Sequence, residues 1–263
     1  MCVIDDTAPR HMATDLVLVV LLLSFKSVSQ PVFQNYAGPE EAAQAAALQL
    51  EASAREAISA RGVFVMALSG GRSPHAMLAA FAKADLPWEQ VRIFQVDERV
   101  APSGDAARNW VMIEDALLQA DGPSQAESYP MPVESDDLAR AATAYAKTLA
   151  LIAGDPVVID LVHLGLGDDG HTASLVPGDE VLMMTDRDVG LTESYRGHRR
   201  MTLTFPALNR ARERLWLATG ADKVTMLARL RDRDQHIPAG QVSVDNTTIF
   251  TDVKLDHATA SSD

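Results

Sequence analysis

Asp168, Asp169 and His171 have the residue types and the spacing to carry proton-transfer chemistry. Imidazole titrates near neutral pH, and a neighbouring carboxylate can fix its tautomer or raise its pKa. The three residues follow an apolar run at 157–164, which predicts a buried strand, and then a glycine turn. Open α/β sheets place their reactive groups at the carboxyl ends of strands. This segment is therefore the leading candidate for a catalytic centre.

Two other interpretations of the same segment remain open. The glycines between residues 165 and 170 spell G-x-G-x-x-G, the pattern of a dinucleotide-binding turn. Asp168 and Asp169 oppose that interpretation, because a pyrophosphate needs backbone donors and no negative charge at this point. Alternatively, His171 and the aspartates only cap a helix that would begin at residues 172–175.

A second glycine turn has the features of a phosphate-binding site. A strand predicted at 63–68 runs into residues 69–74 (SGGRSP), and a helix predicted at 75–84 follows. Two glycines let backbone N–H groups turn towards one point, and the helix N-terminus adds positive charge. Pro74 suits the first position of that helix, and Arg72 supplies a cation. The turn lacks the Gly-Lys-Ser/Thr of a Walker A loop, and a plain glycine turn is the alternative.

Two carboxylates and a guanidinium follow the next predicted strand, at 91–96. Asp97, Glu98 and Arg99 stand at its end. Charged groups are costly to bury without partners, so these three are expected to face a cleft. A surface ion pair is the alternative, since a short charged tripeptide is more often only that.

The rest of the chain predicts the scaffold that would position these groups. It shows no internal repeat and no strong linker, so residues 30–263 are predicted to form one domain of alternating strands and helices. Loops are predicted at 178–196 and 237–240. Strands are predicted at 32–33, 63–68, 91–96, 157–164, 199–206, 214–219 and within 242–253, and helices at 42–60, 75–84, 136–153, 207–213 and from Lys223 onwards.

Residues 1–29 differ from the rest and form an N-terminal extension of uncertain status. They contain an unbroken apolar run at 16–23, which is too short to span a bilayer, so no membrane span is expected. Arg10 precedes the run and small residues at 27–29 resemble a cleavage site, which would suit a secretory signal. Three aspartates in the first half of the segment oppose that interpretation. A disordered extension, a misassigned start, or an additional strand or helix also remains open.

The balance of charges narrows the classes of partner. The chain has 263 residues and a formal net charge of −13, which opposes general nucleic-acid binding. An anionic ligand would need a local cluster of Arg and Lys acting against this global field. The single Cys2 excludes an intrachain disulfide, and no Cys/His spacing suggests a metal site. No pattern in the sequence assigns an oligomeric state.

Taken together and in order, four separated segments resemble the 6-phosphogluconolactonase family, a branch of the superfamily that includes the glucosamine-6-phosphate deaminases. The segments are 69–74 (SGGRSP), 97–99 (DER) with Asn109, 165–175 (GLGDDGHTASL) and 200–204 (RMTLT). Segments 220–223 (GADK) and 238–242 (PAGQV) extend the match, so that it covers roughly residues 31–255. One such motif would be weak, but the ordered set is specific.

The resemblance implies a fold and an activity. The fold would be an α/β three-layer α/β/α sandwich around a mostly parallel, Rossmann-like sheet. The activity would be the hydrolysis of 6-phospho-D-glucono-1,5-lactone to 6-phospho-D-gluconate in the oxidative pentose phosphate pathway. The resemblance also implies a small sugar-phosphate lactone as the ligand, no cofactor, no metal and a cytoplasmic location.

The resemblance also assigns roles to individual residues. His171 would activate water, and Asp169 would orient the His171 ring. Arg99 would stabilise the negative charge that develops on the substrate. The residues implied in binding the substrate and its phosphate are Ser69, Gly70, Gly71, Arg72, Asp97, Arg200 and Lys223.

Two residues distinguish the lactonases from their sister enzymes. The deaminases continue the Asp-Gly-His motif with an Asn-Glu pair, and that glutamate assists the histidine. Leu175 and Val176 stand there in this chain, and neither can exchange a proton. The lactonase is therefore favoured, with a deaminase-like isomerase or a non-catalytic sugar-phosphate-binding protein as alternatives.

Overall fold

A seven-stranded parallel sheet and a three-stranded antiparallel sheet form the framework of residues 30–255, the part of the chain that the computed structural model describes. In chain order the strands are β1 (Val32–Asn35), β2 (Phe64–Leu68), β3 (Val91–Gln95), β4 (Asp97–Arg99), β5 (Glu127–Tyr129), β6 (Leu161–Leu164), β7 (Val189–Leu191), β8 (Arg200–Leu203), β9 (Glu213–Leu217) and β10 (Thr247–Thr251). The larger sheet has the order β1-β10-β9-β6-β2-β3-β5, and each of its pairs is parallel. The smaller sheet has the order β4-β8-β7.

Helices cover both faces of the parallel sheet. They are α1 (Pro39–Arg61), α2 (Arg72–Phe81), α3 (Asn109–Ile113), α4 (Leu138–Ala153), α5 (Phe205–Arg210), α6 (Val224–Arg231) and α7 (Pro238–Gln241). The first three pack in one hydrophobic cluster and the last four in another. This is the predicted three-layer α/β/α arrangement, and that prediction is confirmed.

Strand β2 shows why the sheet needs both layers. Phe64, Met66 and Leu68 join the cluster of α1 to α3, whereas Val65 and Ala67 join the cluster of α4 to α7. Successive side chains of a strand point to opposite faces, so a strand covered on both faces is continuously apolar. This central position explains the unbroken apolar run that leads into the glycine turn at 69–71.

Helix α1 begins and ends where its sequence predicts. Pro39 occupies its first turn, and Glu40 and Glu41 favour the positive end of the helix dipole. Gly62 ends it in the left-handed conformation, with φ of 76°, and its N–H donates to the carbonyl of Ile58 at 2.8 Å. The chain then enters β2 at the centre of the sheet.

Several predicted boundaries are wrong. Helix α2 begins at Arg72 rather than at residue 75, so Pro74 is its third residue. Strand β6 covers only the last four residues of the predicted strand at 157–164, because the N–H of Val158 turns back to the carbonyl of Ala153. The short helix α7 replaces most of the predicted loop at 237–240 and extends one residue beyond it.

The predicted loop at 178–196 is only partly irregular. That loop contains strand β7 and a 3₁₀ turn at Glu180–Met183. Residues 256–263 and the predicted N-terminal extension at 1–29 lie outside the described part of the chain. The single domain at 30–263 stays a prediction. Within residues 30–255, no helix combines the length and the apolar content that crossing a bilayer requires.

Candidate active site

A polar cleft of about 500 Å³ opens at the carboxyl ends of β2, β6 and β9. Eight of the predicted site residues line this cleft: Ser69, Gly70, Gly71, Asp97, Arg99, His171, Arg200 and Lys223. Asp169 contacts His171. The structure does not describe the side chain of Arg72, so its predicted role stays a prediction. Segments far apart in the sequence therefore meet at one sheet edge, as the α/β topology requires.

His171 is held by the carboxylate two residues before it. Its Nδ1 lies 2.6 Å from Oδ1 of Asp169, and the same oxygen accepts the backbone N–H of His171 at 3.0 Å. An ionised carboxylate only accepts hydrogen bonds, so Nδ1 of the neutral ring carries the proton and Nε2 keeps its lone pair. The arrangement is that of a general base held in one tautomer.

Asp169 keeps its negative charge because its hydrogen bonds outweigh its burial. Burial alone would raise the pKa of Asp169, but donors from the His171 backbone, the Tyr195 hydroxyl and the His171 ring lower it to about 2. The Tyr195 hydroxyl donates to Oδ2 at 2.7 Å. The carboxylate therefore remains an anion at any pH at which the imidazole could act as a base.

The second and third glycines of the 165–170 turn make room for neighbouring groups. A Cβ at Gly167 would lie 2.0 Å from Nδ1 of His171. Gly170 has φ of 83°, and its Cβ would lie 2.6 Å from Ile237. The imidazole thus occupies the space in front of Gly167 that a pyrophosphate would need, which argues against a dinucleotide site.

Residues 172–175 form a turn, not the helix that the sequence suggested. Leu175 donates its N–H to the carbonyl of Thr172 at 2.9 Å, and Ala173 between them has φ of 52°. The Thr172 hydroxyl bonds the carbonyl of Gly165 at 2.9 Å, which closes the loop around His171. The interpretation of His171 as part of a helix cap is therefore wrong.

The turn at 69–71 joins β2 to the N-terminus of α2. A Cβ at Gly70 would lie 2.0 Å from Oδ1 of Asn109, so this glycine makes room for the asparagine. Gly71 has φ of 115°, which L side chains rarely adopt. The Ser69 hydroxyl donates to the carbonyl of His163 at 2.9 Å. The hydroxyl proton of Ser69 is thus used within the sheet, and the groups suited to an anion are the backbone N–H groups and the helix end.

Arg200 is the most deeply placed cation of the cleft, with only 5% of its surface exposed. Its Nη1 lies 3.4 Å from Oγ of Ser174, and Nη2 lies 3.5 Å from the carbonyl of Tyr195. Burial lowers the pKa of Arg200 and nearby Asp97 opposes that shift, but guanidinium stays charged in proteins. Its Nε is buried and has no hydrogen-bond partner among the described residues, so the protein satisfies this guanidinium only in part.

The other charged residues of the cleft have different surroundings. Arg99 donates from Nη1 to the carbonyl of Ala107 at 2.6 Å, and its buried Nε lacks a partner among the described residues. Nζ of Lys223 lies 3.6 Å from Oδ2 of Asp222, a long contact that leaves the ammonium free to move towards a ligand. Asp97 accepts the Ser174 hydroxyl at 2.6 Å and the amide of Asn109 at 3.2 Å. These three cations and the well-bonded carboxylate of Asp97 therefore line the same cleft.

The expectation that Glu98 faces this cleft is wrong. Its side chain is 0% exposed, and its two oxygens accept the backbone N–H groups of Asn109 and Trp110 at 2.7 and 2.9 Å. Arg108 forms an ion pair with it at 3.1 Å. The cost of burying this carboxylate is offset by partners on the chain that follows β4, so its role is structural.

Two functional candidates were missed by the sequence analysis, because they lie in the predicted loop at 178–196. Tyr195 bonds Asp169, and Arg196 lines the cleft and forms an ion pair with Asp168 at 2.5 Å. Arg196 and Gly197 both have positive φ, the signature of a two-residue hairpin turn. The dipeptide Arg196-Gly197 was the signal in the sequence that could have indicated this turn.

Comparison with known proteins places the chain. A family model described as glucosamine-6-phosphate isomerases/6-phosphogluconolactonase matches residues 37–250. The chain belongs to this family. A 6-phosphogluconolactonase of Synechocystis is 38% identical over 64% of this chain and 71% of its own length, and one of Rhizobium meliloti is 35% identical over 77% and 87%. The solved 6-phosphogluconolactonase of Trypanosoma brucei superposes with a TM-score of 0.74 at 26% identity, covering 85% of this chain and 96% of the other.

Within this family, two core residues bear on the branch to which the chain belongs. Leu175 and Val176 are buried and belong to the apolar interior, at the positions where the resemblance expects an Asn-Glu pair in a deaminase. Neither side chain can assist a histidine in proton transfer. The 6-phosphogluconolactonase branch of the family is therefore the better match.

A cluster of possible metal ligands also lies at the cleft. Ligand atoms of Asp168, Asp169 and His171 lie within 4.8 Å of one another. Each of these residues is already engaged, Asp168 by Arg196 and Asp169 by the His171 ring. Their geometry serves hydrogen bonds within the protein.

Proposed function

We propose that this protein hydrolyses 6-phospho-D-glucono-1,5-lactone to 6-phospho-D-gluconate, the lactonase step of the oxidative pentose phosphate pathway. Family membership and the lactonases among its relatives support the reaction. The observation that carries the mechanism is the pair of His171 and Asp169 in one cleft with Arg99, Arg200 and Lys223. A base held in one tautomer beside several cations suits an ester of an anionic sugar.

His171 supplies the proton transfers. Nε2 takes a proton from water while the water oxygen bonds to the lactone carbonyl carbon, giving a tetrahedral oxyanion. The oxyanion then collapses, the bond from carbon to the ring oxygen breaks, and the imidazolium returns its proton to that oxygen. The product is an open-chain acid, which ionises to 6-phosphogluconate. Asp169 stays ionised and stabilises the charged imidazolium throughout.

Arg99 is the candidate for stabilising the oxyanion. Its Nη1 is held by the carbonyl of Ala107, which fixes the guanidinium plane and leaves other N–H groups for the substrate. The buried Nε has no partner among the described residues. Donors positioned before the reaction stabilise developing charge without reorganising, and this is commonly the largest contribution to catalysis.

The phosphate is bound at the opposite end of the substrate from the reacting ester. The N–H groups of Gly70 and Gly71 and the N-terminus of α2 offer backbone donors. Arg200, Lys223 and Arg72 are the proposed cations, and Asp97 organises Arg200 through Ser174. Binding energy from this remote group would hold the lactone in position for attack by water.

An assay for 6-phosphogluconate formation tests the proposal. The purified protein is expected to release 6-phosphogluconate well above the spontaneous rate, and His171→Ala is expected to lose roughly 10²- to 10⁴-fold in kcat. A His171→Ala protein as fast as the parent would show that another group is the base. Ammonia release from glucosamine 6-phosphate would indicate a deaminase, and binding of 6-phosphogluconate without turnover would indicate a binding protein. A cytoplasmic location stays a prediction of the sequence.

A further inference from the structure

Tyr195 completes the set of hydrogen bonds around Asp169. Oδ1 of this carboxylate accepts both the backbone N–H and the ring Nδ1 of His171, at 3.0 and 2.6 Å. Oδ2 accepts the Tyr195 hydroxyl at 2.7 Å. Two bonds therefore join the carboxylate to His171, and the third anchors it to a different element. Without that third bond the carboxylate could rotate about its own side-chain torsion and carry the imidazole with it.

The hydroxyl of Tyr195 stays protonated at every working pH. Burial and the hydrogen bond to Asp169 raise the pKa of Tyr195 to about 12. A phenol in this state can donate to the carboxylate but cannot act as a base in the reaction. The contribution of Tyr195 is consequently to orientation, and proton transfer is left to the imidazole.

The ring of Tyr195 makes contacts distinct from those of its hydroxyl. Its edge packs on the His171 ring, with centroids 5.5 Å apart and planes at 70°. Cζ of Arg200 lies 5.0 Å from the centroid, and Cζ of Arg196 lies 5.1 Å from it. Both distances are typical of cation–π contacts. One side chain therefore touches the base, the carboxylate that orients it and two of the cleft cations.

The backbone holds Tyr195 at a defined point. Tyr195 and His198 pair across a tight turn, with N–H to carbonyl distances of 2.9 and 3.3 Å. Arg196 and Gly197, the two residues of the turn, have φ of 51° and 87°. This hairpin extends the pairing of β7 with β8, and Arg200 is the first residue of β8. The tyrosine is thus fixed to the same strand pair that carries the deepest cation.

We propose that Tyr195 is a positioning residue, which holds Asp169, and through it His171, while its ring supports the guanidinium of Arg200. The proposal rests on the proposed roles of His171 and Asp169 in lactone hydrolysis. The two roles of Tyr195 can be tested separately, because the hydroxyl contacts Asp169 of the acid–base pair and the ring contacts the cations. The hydroxyl should therefore affect kcat, and the ring should affect KM for the phosphorylated substrate.

Three variants distinguish these parts. Tyr195→Phe removes only the hydroxyl, and we expect kcat to fall roughly tenfold with KM nearly unchanged. Tyr195→Leu also removes the ring, and we expect a similar fall in kcat together with a raised KM. Tyr129→Phe is the matched control, because its hydroxyl donates to Glu127 at 2.5 Å on β5, outside the cleft. The control should keep the parent kcat and KM.

A double-mutant cycle tests whether the hydroxyl acts through the carboxylate. In an Asp169→Asn background, adding Tyr195→Phe should lower kcat little further, since groups that act as a unit are not additive. A purely structural effect would lower kcat by the same factor in both backgrounds. The thermal unfolding midpoint of each variant identifies losses that come from instability.

The outcomes separate this inference from the function on which it rests. Unchanged kcat in Tyr195→Phe, or an additive cycle, overturns the positioning role while leaving the lactonase activity of the parent intact. Full activity in His171→Ala or Asp169→Asn overturns the proposed acid–base pair, and the role of Tyr195 falls with it. A parent protein with no lactonase turnover overturns the proposed function itself.

Discussion

The imidazole of His171 occupies the place where Gly167 would carry a side chain. A Cβ on Gly167 would lie 2.0 Å from Nδ1 of the ring, far inside the normal contact distance. Nδ1 is also the atom that bonds Asp169. The glycine thus lets the ring approach the loop backbone closely, which gives this motif a use different from that in dinucleotide-binding proteins.

Replacing Gly167 should disrupt catalysis more than folding. In Gly167→Ala the ring must move away from the new methyl group, and a displacement of about 1 Å can cost about 10²-fold in rate. We expect kcat to fall by roughly that factor, measured by 6-phosphogluconate formation. Gly165→Ala is the matched control in the same loop, because its Cβ would meet nothing within 4 Å, and it should retain most of the activity. Equal losses in the two variants would contradict the steric explanation.

The phosphate-binding role of Arg200 predicts a difference between two substrates. Arg200→Ala removes a cation that lines the cleft, so KM for the phosphorylated lactone should rise roughly tenfold to a hundredfold. KM for unphosphorylated gluconolactone should change far less. Lys223→Ala should show the same difference without the loss of a buried group. Arg55→Ala, at an exposed ion pair with Glu51 on α1, serves as the control.

Equal changes in KM for both lactones would remove Arg200 from the phosphate site. The comparison is sharp because the two substrates share the ester and differ only in the remote anion. A change confined to kcat would instead assign the guanidinium to the reacting end of the cleft.

His163 is a buried titratable group beneath the cleft that takes no part in the proposed mechanism. It lies on β6 with 0% exposure, and neither ring nitrogen has a hydrogen-bond partner among the described residues. Burial lowers the pKa of His163 from 6.5 to about 4. Between these two values the unfolded chain binds the proton more readily than the folded protein does.

Acid should therefore destabilise the fold through His163. The free energy of unfolding should decrease as the pH falls from about 6.5 to about 4, by up to about 3 kcal/mol from this residue. His163→Leu should flatten that part of the stability curve, measured by urea unfolding at several pH values. A slope that persists in His163→Leu would assign the acid sensitivity to other groups.

The parts of the fold that local chemistry determines could be predicted from the sequence. Helix α1 carries its own start and stop signals in Pro39 and Gly62, and β2 is a continuous apolar run. The candidate site residues were predicted from motifs in which glycines stand next to charged or hydroxyl groups. The structure brings eight of these residues to one cleft, because parallel strands end at the same edge.

What the sequence could not show depends on tertiary contacts. Strand β7 is only three residues long and pairs with β8, so its propensity alone does not identify it. Tyr195 and Arg196 became candidates only when that hairpin placed them against Asp169 and Asp168. The position of Glu98 depended on backbone donors eleven and twelve residues further along the chain. Such pairings leave no periodic signal in the sequence.

Glu98 belongs to a motif that suggested a functional site, but its contacts indicate a structural role. Its carboxylate bonds the backbone N–H groups of Arg99, Asn109 and Trp110, at 2.8, 2.7 and 2.9 Å. Arg108 supplies the matching charge at 3.1 Å. These bonds tie the start of α3 to β4, and they hold in place the segment that carries Arg99.

Truncating Glu98 should therefore unfold the protein more readily without abolishing the chemistry. Glu98→Ala leaves Arg108 without its buried partner, and it leaves three backbone N–H groups and the side-chain amide of Gln95 without an acceptor. We therefore expect a loss of about 3–5 kcal/mol in the free energy of unfolding. Glu134→Ala removes the exposed partner of Arg108 and should cost less than about 1 kcal/mol. If Glu98→Ala kept the parent stability but lost turnover, the carboxylate would belong to the reaction. Because its oxygens are occupied by backbone N–H groups and by the side chains of Gln95 and Arg108, we expect the folded fraction of the variant to remain active.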